Sequence, residues 1–223
     1  MRSISFITFI MLLICGAPKA AIADLYPGLV HLDCFPKYPN DTVKFIFYKE
    51  PNTSQVTRQL SFYRDWKHNS ILTRILETDY HDWFSPMSFD DDTTSGNFRI
   101  YLSCRDKVEN WFQVVLNEKT GETGWIYKSH TTTFIPWNHL DRRKYTVTVQ
   151  NNSNYYYEQP DTNSRRLPYN GFNCFELIQV QGDWMKVSNK NSEMCGNYDL
   201  PYLDKAWIHF KTSDRLLIHL DIM

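Results

Sequence analysis

The residues able to attack, ligate or shuttle protons are few in this chain, and their spacing decides what they can do. Outside an apolar N-terminal segment there are four cysteines, Cys34, Cys104, Cys174 and Cys195. A thiolate nucleophile needs an adjacent base and a group that orients it, and none of the four follows a Gly or Ser pair at the start of a recognisable helix. No two stand at the short separation of a zinc-ligand pair. The seven histidines, His31, His68, His81, His130, His139, His209 and His219, contain no His-x-x-x-His pair. The acidic stretch FDDDTTSGN (Phe89 to Asn97) lacks the alternate spacing and distal Glu of a calcium loop, and it reads as a solvated hairpin turn. The expectation is a protein that is not an enzyme and takes no metal and no cofactor. Its aromatic content, 16%, points instead to holding a ligand through flat apolar surfaces beside hydrogen-bonding groups.

The elements that position these side chains begin after a leader. Arg2, the apolar run Ile4 to Ile14 and the small residues of Ala21-Ile22-Ala23 have the layout of a secretory signal peptide. The run of eleven residues is shorter than the roughly 20 that span a bilayer. Setting residues 1–23 apart reduces the 223 residues to a mature chain of 200. Without Arg2 and Lys19, 22 basic side chains face 25 acidic ones, and no basic block marks a nucleic-acid footprint. No further apolar run spans a membrane, so the expected location is periplasmic or extracellular.

Short segments rich in β-branched and aromatic residues dominate the rest. TVKFIFY (42–48), FRIYLSC (98–104), WFQVVL (111–116), KYTVTVQ (144–150), CFELIQV (174–180) and WMKV (184–187) are each bounded by Asn, Asp, Gly or Pro. The chain reads as all-β. SILTRILET (70–78) is the best helical candidate, with Ile71, Leu72, Ile75 and Leu76 at helical spacing.

The chain also repeats itself. YKEPNT (48–53) matches YEQPDT (157–162) at an offset of 109, NWFQV (110–114) matches DWMKV (183–187) at 73, and GWIY (124–127) matches AWIH (206–209) at 82. The order is the same in both copies. The first copy carries about 36 extra residues, an insertion over 61–97, and the second carries nine more between its Trp residues. The four cysteines allow three pairings, or four buried free thiols. Cys174 with Cys195 and Cys34 with Cys104 is favoured, because each pair stays within one half.

Tyr-x-x-Pro-x-Thr, a Trp-aromatic-x-Val strand, Lys-Thr-Gly and a returning Gly-Trp-Ile strand together resemble a bacterial SH3-like domain. Residues 24–42, 61–97 and 211–223 lie outside the resemblance. In that family the opening loop usually ends in Gly-Pro. Here Glu50 and Gln159 occupy the Gly position, and Ala206 the Gly before Trp207, while the prolines keep the turn backbone fixed.

The resemblance implies two small SH3-like barrels in tandem, over 24–136 and 144–223, with Pro136 to Arg143 as linker. It implies binding of cell-wall peptide or an envelope protein; an inhibitor or immunity-type protein that blocks a cell-wall hydrolase is the alternative. Cell-wall peptidases often carry such domains beside a papain-like part, and no block of that size remains here. The residues expected to line an aromatic binding strip are Trp184, Tyr156 and Trp137.

Overall fold

The structure, a computed structural model, describes residues 26–34, 38, 41–67, 70–92, 97–141, 145–150, 155–169, 171, 173–190, 195, 202–212 and 215–222. The segment read as a signal peptide lies outside them. Sixteen strands follow one another among the described residues: β1 (Gly28–Asp33), β2 (Thr42–Tyr48), β3 (Val56–Lys67), β4 (Ser70–Ile75), β5 (Ser88–Asp92), β6 (Asn97–Val108), β7 (Trp111–Asn117), β8 (Glu122–Tyr127), β9 (Thr132–Pro136), β10 (Tyr145–Val149), β11 (Tyr156–Tyr157), β12 (Arg166–Leu167), β13 (Cys174–Gln181), β14 (Trp184–Ser188), β15 (Ala206–His209) and β16 (Ile218–Ile222). One helical turn, α1 (Tyr80–Trp83), lies between β4 and β5, and a 3-10 turn spans Trp137–His139. Among the described residues no helix is long and apolar enough to cross a membrane.

The strands form two antiparallel sheets, the first curled into a half-barrel. Its order is β4-β3-β2-β8-β7-β6-β1-β9, with β5 beside β6; the second runs β12-β11-β15-β14-β13-β10-β16. Without β4 and β5 the two orders are the same, strand for strand. The register repeats as well. Trp111 faces Tyr127 and Gln113 faces Trp125 in the first sheet, as Trp184 faces His209 and Lys186 faces Trp207 in the second. Tyr48 pairs with Trp125 as Tyr157 pairs with Trp207. Even the irregularities coincide: β6 shifts register against β7 between Cys104 and Asp106, and β13 against β14 between Leu177 and Gln179, each at the offset of 73. The two-residue turns that follow place Glu109 at φ 48° and Gly182 at φ 57°, the left-handed geometry that tight hairpins favour.

The insertion over 61–97 holds one helical turn, α1, but not where the sequence points. Residues 70–75 pair with β3, Phe62 opposite Ile75 and Trp66 opposite Ile71, so the helical expectation over 70–78 is corrected. A spacing of apolar residues that fits a helix also fits a β-branched strand when a long partner is available, and tertiary pairing decides. The ends of the acidic stretch lie on adjacent antiparallel strands, with Asp92 opposite Asn97; residues 93–96, where the turn is expected, lie outside the described residues.

Two cores fill the molecule. One lies inside the half-barrel and contains Phe45, Phe47, Phe62, Leu102, Val114 and Ile126. The other joins the sheets: Leu29, Met87, Tyr101 and Val115 from the first pack with Val147, Phe175, Ile208 and Leu220 from the second. Trp137 and Leu140, from the segment expected to be an open linker, are buried in this shared core; residues 142–144 lie outside the described residues. The Trp137 indole donates to the Tyr26 carbonyl at 2.6 Å, and Lys211 reaches the same oxygen at 3.5 Å while pairing with Asp183 at 3.1 Å. The first described residue is thereby fastened to the second sheet.

Cys174 and Cys195 form a disulfide, as expected. Cys34 and Cys104 do not: both are free and buried. Gly28 stands opposite Cys104 and Asp33 opposite Arg99, so Cys34, just beyond β1, lies six residues down the ladder, about 20 Å away. A disulfide needs Cα atoms within about 7 Å. Sharing a half of the sequence was too coarse a criterion for pairing them.

Candidate binding faces

Alternation along β14 sends Met185 and Val187 into the shared core and leaves Trp184 and Lys186 half-buried on the other face. Antiparallel pairing brings β15 and β11 beside them, and cross-strand neighbours on one face of a sheet interact. Trp184 meets Tyr157 edge to face, with ring centroids 5.3 Å apart and planes at 89°, and His209 at 5.0 Å. Lys186 sits 5.5 Å over the Trp207 ring. Tyr155, 52% exposed, extends the row from Tyr157 at 6.4 Å, and Arg166 lies over its ring at 3.8 Å. The result is a continuous aromatic array flanked by two cations.

The first sheet carries the same array at the equivalent positions. Tyr48 meets Trp111 edge to face at 5.4 Å and 90°, and Trp111 meets Tyr127 at 5.1 Å. Tyr127 is 50% exposed. Gln113 replaces Lys186 beside Trp125, so this copy is neutral where the other is basic. Edge-to-face ring pairs contribute about 0.5–1.5 kcal/mol beyond their buried area. The rings are therefore held in place before any ligand arrives.

Of the three residues expected in the binding strip, only Trp184 lies in an array. Tyr156 is 6% exposed and turns inward, its hydroxyl donating to Asn173 at 3.1 Å and its ring packed on Tyr169 and Phe175. The other face of this Tyr-rich run carries Tyr155, which is exposed, and Tyr157, which its neighbours cover to 6% exposure: a period of two with the wrong phase selects the opposite face. Trp137, 5% exposed, is core and stands edge to face with Phe210 at 5.1 Å. Tyr48, Trp111, Trp125, Tyr127, Tyr157, Trp207 and His209 were absent from the expected site. All seven lie in the repeated motifs, so matching the two copies position by position would have found them. Among the described residues no three His, Cys, Asp or Glu side chains gather to ligate a metal.

Compared with family models, curated proteins and solved structures, the chain matches none of them.

Proposed function

We propose that this is an exported binding protein, without catalysis, built from two SH3-like units that recognise cell-wall peptide or an envelope protein. The observation that carries the reading is the duplicated aromatic array: both sheets place a Tyr edge to face on a Trp in one register, with a further ring about 5 Å from that Trp. Core packing explains the inward residues of these strands. It does not call for the outward rings, which leave Tyr127 and Tyr155 half exposed. The disulfide fits an oxidising compartment.

The test is retention of the mature protein on purified cell-wall sacculi, beside a pull-down from envelope extract. Retention that falls at least tenfold in Trp111→Ala with Trp184→Ala, with unfolding still cooperative, is the expected result. A stoichiometric hydrolase partner recovered without sacculus retention would favour the inhibitor instead.

A further inference from the structure

In the first sheet β2 leaves its neighbour early. Among the described residues Tyr48 opposite Trp125 is the one pairing of β2 with β8, whereas β3 pairs with β2 along its length. Main-chain groups alternate sides along a strand, so every second residue of Thr42–Phe47 turns its N–H and C=O away from β3 and toward the gap. A cavity of 170 Å³ occupies that gap, walled by Lys44, Ile46 and Tyr48 on one side and by Tyr127, Ser129 and Thr131 on the other.

Three properties of the gap define its occupant. Its size comes first: pockets that enclose a drug-sized molecule run to about 300–1,000 Å³, so 170 Å³ admits one or two side chains of something longer. The wall contributed by β2 is a strand edge, and its outward main-chain groups are complementary to another extended main chain. The charge is one-sided as well. Among the described residues Lys44 is the one charged side chain lining the cavity, it is exposed, and it makes no ion pair with any of them. In the second sheet Tyr157 opposite Trp207 is likewise the one described pairing of β11 with β15, residues 151–154, which correspond to 42–45, lie outside the described residues, and the far wall differs. Lys211 stands where Ser129 stands in the first copy, and it is buried against Asp183 and the Tyr26 carbonyl.

We infer that the gap between β2 and the β8–β9 turn receives an extended peptide segment as an added strand on β2, with a carboxylate of that peptide on Lys44. Tyr48 and Tyr127, members of the first aromatic array, flank the entering segment, so the inference rests on the binding reading and gives its ligand a chemical class. The two arrays grip a partner of either kind; the gap selects for extended main chain and negative charge.

The test uses the full mature chain and a library of N-acetylated hexapeptides, made once with free C-terminal carboxylates and once as amides. Amidation of the bound sequences should weaken them by about two- to five-fold, the value of one exposed ion pair. Lys44→Gln, an exposed substitution that leaves the fold intact, should abolish that difference. N-methylation of the tightest peptide should block binding at alternate positions only. The inference is overturned if no library member binds at millimolar concentration, if N-methylation is tolerated throughout, or if Lys44→Gln leaves the carboxylate preference unchanged. Equal retention of wild type and Lys44→Gln on sacculi, with loss in Trp111→Ala, would overturn the gap and keep the arrays. Peptide binding as expected, with no retention on sacculi, would keep the gap and remove the cell wall as the source.

Discussion

Trp137 and Trp184 are the same side chain in two surroundings, and substitution separates them. Trp137→Ala empties a core site and leaves the Tyr26 carbonyl without its indole donor, so it should cost about 3–5 kcal/mol. Trp184→Ala removes a half-buried ring from an outer face and should cost less than half of that while weakening ligand retention; urea titration of both variants checks the order. The two free thiols make a second prediction. Burial pushes Cys104 up to about 12, and burial with the nearby Asp33 charge raises Cys34 well above the ordinary thiol value. Neither thiol should alkylate in native protein at pH 8, and both should do so once it unfolds. A folded-state pKa above the unfolded one gives stability that is complete below the unfolded value and is lost as pH rises. Stability should therefore fall as pH rises from about 9 to 12, by up to about 1.4 kcal/mol per pH unit for Cys104, with Cys34 adding loss in the same direction. The phenols of Tyr145 and Tyr156, raised by burial too, add to the loss from about pH 10 upward. A flat stability profile across that range would contradict the burial.

At the scale of elements, β1 is the tightest joint. It lies between β6 and β9, and a Cβ on Gly28 would stand 2.2 Å from the Ile135 carbonyl oxygen. Backbone cannot yield as a side chain can, so Gly28→Ala should destabilise by at least 1–3 kcal/mol, the ordinary cost of overpacking. Gly124→Ala meets Leu116 and Phe47 side-chain atoms at 3.1 Å and should cost less; the second copy already carries Ala206 there, with Asn189 at the Leu116 position. Thermal midpoints of the two variants test the ranking. Much of this level was legible in the sequence. The strand at 42–48 has its expected bounds, and the matching of YKEPNT with YEQPDT, and of the two Trp motifs, identifies the strands that repeat. The phase of a three-Tyr run was not legible, because Tyr is at home on either face of a sheet and only the partner strand chooses. Nor was the fate of residues 70–75, whose apolar pattern suits both a helix and a strand until β3 is present to pair with it. The expected pairing of Cys34 with Cys104 failed for the same reason, while Cys174 and Cys195 do pair: register is a long-range property that spacing does not carry.

Over the whole molecule, the core joining the two sheets argues for one cooperative unit. Leu29 and Val115 cannot leave that core without exposing Val147 and Ile208, and the disulfide restrains the second sheet by about 3 kcal/mol in the chain-entropy account. Calorimetry of residues 24–223 should show a single transition, and protease should not cut efficiently at Trp137–Leu140; two well-separated transitions would mean that the shared core contributes little. The fastening of Tyr26 also bears on how the protein is made. Chains are synthesised from the N-terminus, yet β1 needs β9 at its side, and the Tyr26 carbonyl waits for a lysine 185 residues later. The first of the described strands to emerge is thus among the last to be satisfied. Until the ribosome has released the final strands, β1 offers an apolar face and an open edge to whatever chaperone holds the nascent chain.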